Sequence, residues 1–128
     1  MDDFAEWLGE RNLAPKTIDR HLFNVEFYIN EFLLYEEAMD AADGIDEIGY
    51  FLGFWFIKKA MWASKSQINN NATSLKKFYQ FMLEKGKVSQ ESYEELKETI
   101  KEEKKEWLDT MERYDDPDIE GMEEVWGL

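Results

Sequence analysis

The sequence has no cysteine. That excludes a disulfide framework, a thiolate zinc site and a cysteine nucleophile. Histidine occurs once, at position 21, with no second imidazole to complete a metal site, so His21 reads as a helix-surface or boundary residue rather than a ligand or general base. Proline occurs twice and glycine seven times, too few for a chain dominated by loops. The most apolar run, Ile48 to Ile57, falls far short of the roughly 20 residues that cross a membrane, so it reads as a buried core helix. No Gly-rich phosphate loop and no nucleophile motif occurs. The acidic, amphipathic opening MDDFAEWLGERN does not read as a signal peptide, and a soluble cytoplasmic protein is the expectation. For the same reason the Asn71-Ala72-Thr73 sequon reads as accidental.

Acidic residues and aromatics are what the chain has in abundance. It carries 29 Asp and Glu against 15 Lys and Arg, a formal net charge of −14, and 16% of its 128 residues are aromatic. So much apolar area supports a packed core and excludes global disorder despite the charge. The charge is unevenly placed. Residues 1–50 hold 13 acids and 3 bases, residues 51–87 hold 1 acid and 7 bases, and residues 88–128 hold 15 acids and 5 bases. A basic middle therefore sits between two acidic ends.

Leu/Glu/Lys-rich runs without Val/Ile/Thr alternation predict an all-α fold. A first helix is expected over about Asp2 to Asn12, with Phe4, Trp7 and Leu8 on its apolar face. Pro15 suits the first turn of a second helix, whose stripe is Ile18, Leu22, Val25, Ile29, Phe32 and Leu33. Asp40 to Asp46 reads as a loop. A third helix, roughly Ile45 to Met61, is apolar nearly all round, so Phe51, Leu52, Trp55 and Phe56 are expected at the centre of the core; Phe54 and Trp62 fall off its stripe, free to meet a partner or the fifth helix. Ser64 with Gln67 fits a capping box that opens a fourth helix, and Gly86 fits its stop. Its buried stripe is Ile68, Ala72, Leu75, Phe78 and Met82. Ser89 fits the cap of a fifth helix ending near Asp115, with the stripe Tyr93, Leu96, Ile100, Trp107, Met111 and Tyr114.

Two stretches, FAEWLGERNLAPKTIDRHLFNVEFYINEFL and WASKSQINNNATSLKKFYQFMLEKGKV, resemble the N-terminal core-binding domain of tyrosine recombinases, the SAM-like helical domain of phage integrases. The resemblance covers about residues 4–88. It implies an orthogonal four-helix SAM-like bundle over 1–88, extended here by a long acidic C-terminal helix and short tail over 89–128. It also implies a non-catalytic DNA-binding or DNA-associated module. In that family the starts of the second and fourth helices contact duplex DNA. Carried over by position, the implied contacts are Lys16, Thr17 and Arg20, then Lys65, Ser66, Gln67, Asn70, Asn71, Ser74 and Lys77. The residues themselves point the same way, since lysines neutralise phosphate and amides or hydroxyls bond phosphates and base edges. On that basis Lys16, Arg20, Lys65 and Lys77 are expected to form one positive patch, away from the acids of the fifth helix. The recombinase catalytic constellation is missing: His21 is followed by Leu22-Phe23-Asn24, with no His-x-x-Arg element, and strand exchange by this chain is not expected.

The alternative is a protein-interaction module on the same helical scaffold that has lost DNA binding, its acidic surface mimicking DNA or masking its own basic face. The distal stripe of the fifth helix, Trp107, Met111 and Tyr114, outruns what a small bundle covers, so it is expected to form a partner or self-association surface unless Ile119, Met122, Val125 and Trp126 fold back over it. The carboxylate pairs Glu94-Glu95 and Glu102-Glu103 read as a solvated helix face paired with Lys97, Lys101 and Lys105. Asp116, Asp118, Glu120 and Gly121 imitate the opening of a calcium loop, but Gly127 stands where the bidentate Glu belongs. No enzyme activity, cofactor or metal is expected.

Overall fold

The computed structural model describes residues 2–34, 39–60 and 63–115; Tyr114 and Asp115 are described by their backbone. Helix α1 spans Asp2–Gly9 and carries two acids at its positive end. It unwinds through a turn that closes at Asn12, whose φ of 61° is the left-handed conformation an Asn side chain tolerates. Helix α2 starts at Pro15, whose missing N–H costs nothing in a first turn; it is α-helical over Pro15–Phe27 and continues as a π-helix over Tyr28–Leu34.

Helix α3 is composite: a 3-10 turn over Asp43–Glu47, one α turn over Ile48–Tyr50, a π stretch over Phe51–Trp55 and an α turn over Phe56–Lys59. It therefore begins inside the stretch expected to be a loop. The two π stretches lie against each other. The Phe51 ring stands 4.7 Å from Tyr28 and 5.1 Å from Phe32, and Trp55 stands 5.3 Å from Phe32. Two phenols tie the α2–α3 connection to the core. Tyr28 Oη donates to the Gly44 carbonyl and Tyr79 Oη donates to the Ala41 carbonyl, and burial pushes both hydroxyl pKa values far above their ordinary range.

Helix α4, Lys65–Glu84, is delimited by local chemistry. Ser64 Oγ accepts from the Gln67 N–H at 3.1 Å at its start. At its end Gly86 has φ 74°, with Lys87 N donating to Met82 O and Gly86 N to Leu83 O; these are the two bonds of a Schellman stop. Ser89 caps α5 in turn, accepting from the Ser92 N–H, and α5 runs over Gln90–Asp115.

The fold is all-α, with a long C-terminal helix and, among the described residues, five helices and no strand. Phe51, Leu52, Trp55 and Phe56 are buried, as the apolar circumference of α3 requires. The long helix shares this core: Tyr93, Leu96, Ile100, Trp107 and Met111 belong to the same buried cluster as Phe4, Phe32 and Leu75. It runs antiparallel to α4, with Glu112 reaching Lys65 at one end. Along its other flank it lies on α3, where Gly49 faces Thr99 and Glu103 and Gly53 faces Trp107.

That arrangement corrects the expectation of an exposed distal stripe. Trp107 is 3% exposed and Met111 2% exposed. At about 1.5 Å of rise per residue a helix of this length reaches nearly 40 Å, but α3 and α4 lie lengthwise along it rather than across it. Ile119, Met122, Val125, Trp126 and the calcium-like loop fall outside the described residues, as does Trp62.

Candidate functional site

The residues expected to contact DNA separate into three groups. Lys65 projects from the first turn of α4 toward α5, and its Nζ sits 3.0 Å from Glu112 Oε2. Lys76, about three turns further along α4, lines an open groove with Glu94, Lys97, Glu98, Ile100 and Lys101 of α5. The acids of α5 are thus beside the basic face of α4, contrary to the expected separation. On α5 itself, Lys97 pairs with Glu94 at 3.2 Å and Lys105 with Asp109 at 3.3 Å, so one of the expected helical pairings is replaced by another partner.

Asn71 and Ser74 form the second group and are buried, not exposed. Ser74 Oγ donates to the Asn70 carbonyl at 2.9 Å and receives the Asn24 amide at 3.0 Å; His21 Nδ1 lies 2.6 Å away. Since the hydroxyl has one proton, giving it to Asn70 leaves Oγ to accept from an Nδ1–H of a neutral imidazole. Asn71 Nδ2 donates to the Gln67 carbonyl at 2.8 Å, and its buried Oδ1 has no partner. Ser74 fastens α4 to α2, and both Asn71 and Ser74 are buried, so neither presents itself to a ligand. His21, expected at the helix surface or its boundary, is likewise corrected to the interior, being 2% exposed. Burial, then the nearby Arg20 and Lys77 charges, lower its pKa to about 4.

The third group remains outside. Lys16, Arg20 and Ser66 are exposed, and Thr17, Gln67, Asn70 and Lys77 are half-buried. The charges of Arg20 of α2 and Lys77 of α4 both act on His21. Among the described residues Lys16, Arg20 and Lys77 form no ion pair. The start of α4 itself has its first free N–H groups partly met by the Ser64 cap.

Sequence reasoning missed the buried polar trio His21, Asn24 and Ser74. The available signal was spacing: His21 and Asn24 lie three residues apart and flank the buried Val25 stripe, which places them at its edge. It also missed Phe23, which is off the α2 stripe and exposed. Among the described residues no group of three or more His, Asp or Glu is placed to hold a metal ion, and no helix is long and apolar enough to cross a membrane. No protein-family model, curated protein or solved structure matches this chain.

Proposed function

We propose that this chain is a non-catalytic helical module that engages a protein partner, and that its α5 helix occupies part of its own basic middle. The observation that carries this reading is the Lys65–Glu112 pair across the α4–α5 face. A DNA contact built on the start of α4 calls for Lys65 directed outward, and here a carboxylate of the same chain stands at its ammonium. Two further side chains such a contact would use are buried: Ser74 is bonded to His21 and Asn24 of α2, and Asn71 to the Gln67 carbonyl of its own helix. The net charge of −14 adds long-range repulsion against a polyanion. His21, the one imidazole, is buried against Ser74, which favours a structural role over proton transfer.

A second reading keeps a DNA-associated role, through Lys16, Arg20 and Lys77 with Thr17, Ser66, Gln67 and Asn70. The observation favouring it is that Arg20 and Lys77, on two helices and both acting on His21, have no carboxylate paired to either among the described residues. A fluorescence-anisotropy titration with duplex DNA at low and moderate salt separates the two. Absence of binding at low salt favours the protein-partner reading; saturable, salt-dependent binding that Lys77→Ala weakens on every sequence favours the DNA reading.

A further inference from the structure

A groove of about 740 Å³, open to solvent, runs between α4 and α5 and is lined by charges of both signs. The signs are sorted on α5. Lys97, Lys101 and Lys104 recur at spacings of four and three, which makes one row of a helix; Glu94, Glu98 and Glu102 recur at four, which makes the next row. The lysine row is the one turned toward α4. Glu112, about three turns past Lys101 and on nearly the same line, is the residue that reaches Lys65 of α4. Lys97 and Lys104 are accordingly half-buried, whereas the three glutamates are exposed. Lys76 lines the same groove from α4. The groove therefore has a cationic inner side and an anionic outer rim. Lys97 is already engaged: its Nζ sits 3.2 Å from Glu94 Oε1 and 5.2 Å from the centre of the Tyr93 ring. Lys76, Lys101 and Lys104 make no ion pair or hydrogen bond among the described residues, in a chain with 29 acids to offer.

We infer that this groove binds a phosphorylated segment of the protein partner, with one phosphoserine or phosphothreonine group held by Lys76, Lys101 and Lys104 and basic residues of the segment against the glutamate rim. The inference rests on the protein-partner reading and names the surface and chemistry it uses. A phosphate monoester carries about −1.5 to −2 of charge and three strong acceptor oxygens, and lysine neutralises it as a point charge with three donors. Ammonium groups supplied by two helices meet it from more than one side. The rim sets what else enters. Glu94, Glu98 and Glu102 repel a continuous polyanion such as duplex DNA, yet they complement cationic residues beside a single phosphate. The size of the groove decides between a lone phosphate and a phosphorylated chain. Sites of roughly 300–1,000 Å³ hold ligands of many heavy atoms, so the groove has room for a peptide segment around the phosphate.

The test uses the full chain and a labelled peptide with one central phosphoserine flanked by arginines, beside its unphosphorylated twin. Saturable anisotropy binding of the phosphopeptide is expected, tighter than that of the twin by about tenfold or more, the scale of one charge-assisted bond. Lys76→Gln/Lys101→Gln should remove most of that difference. Both side chains are exposed, so the fold survives the change. The control Lys59→Gln/Lys87→Gln takes the same charge from exposed positions outside the groove and should change affinity by less than about twofold. Equal affinity for the two peptides, no binding of either, or equal weakening by the control overturns the groove assignment and leaves the protein-partner role standing. Displacement of the phosphopeptide by an equal concentration of inorganic phosphate overturns the peptide source and gives the site to free phosphate. Binding of duplex DNA with no binding of the phosphopeptide overturns both the groove assignment and the protein-partner reading.

Discussion

Gly53 lies directly beneath the indole of Trp107: a Cβ built on Gly53 would stand 2.8 Å from Trp107 Cδ1. This contact seats the distal half of α5 on α3. Gly49, one helical turn earlier, makes the same kind of approach to Glu103, at 3.3 Å from Oε1. A methyl at position 53 has to displace a ring that the core holds. Gly53→Ala should therefore cost about 1–3 kcal/mol through overpacking, against the small gain alanine brings to an unconstrained helix. Trp107→Ala should cost about 3–5 kcal/mol by emptying a buried aromatic site. Urea unfolding of both variants checks this, and a stabilised Gly53→Ala protein would show that the two helices do not pack this way.

The His21 network gives a pH dependence with a definite sign. The imidazole has an ordinary pKa near 6.5 in the unfolded chain and about 4 in the fold. Its contribution is fully present above about pH 6.5. As the pH falls below that, the unfolded chain takes up a proton that the folded chain refuses, so stability drops until the folded imidazole titrates near pH 4. Between pH 7 and 5 the loss attributable to this group is about 1–2 kcal/mol. Comparing wild type with His21→Gln isolates it from the carboxylates. Because this is the only histidine, a single imidazole titration by NMR reads its folded pKa; a midpoint above 6 would show that it is not buried as described.

The Ser64 cap should be worth about 1 kcal/mol, the usual cost of replacing an N-cap hydroxyl by a methyl. Ser64→Ala measured by thermal unfolding checks it. The exposed Lys65–Glu112 pair, by contrast, should contribute little to stability: Glu112→Gln is expected to change it by less than about 1 kcal/mol, because both side chains are half in water. Its significance is where it directs Lys65.

What the sequence made legible follows from how far each signal reaches. Ser64 with Gln67, Gly86 and Ser89 act within a few residues, and each stands at the helix end expected of it. The apolar circumference of α3 sufficed to place Phe51, Leu52 and Phe56 inside. Trp107 was misjudged because its cover comes from Gly53, more than fifty positions away, and a glycine in a helix gives no hint of what it lets approach. Ser74 was misjudged because a polar residue on a helix reads as solvent-facing until a complementary His21 and Asn24 are known to stand opposite, and Asn71 because its amide donates to the Gln67 carbonyl of its own helix inside the core. The Lys65 environment likewise depends on the register of α5, which its own heptad-like pattern does not state.

The central claim, that the basic middle of this chain is not a free DNA-binding face, is tested most directly by titrating the wild-type protein into labelled duplex DNA at about 50 mM and 200 mM salt, against the usual non-specific range of about 10⁻⁴–10⁻⁶ M. The expected result is no binding tighter than about 10⁻⁴ M at the lower salt. Micromolar binding that weakens steeply with salt, with a slope that falls by about one in Lys77→Ala, would contradict it.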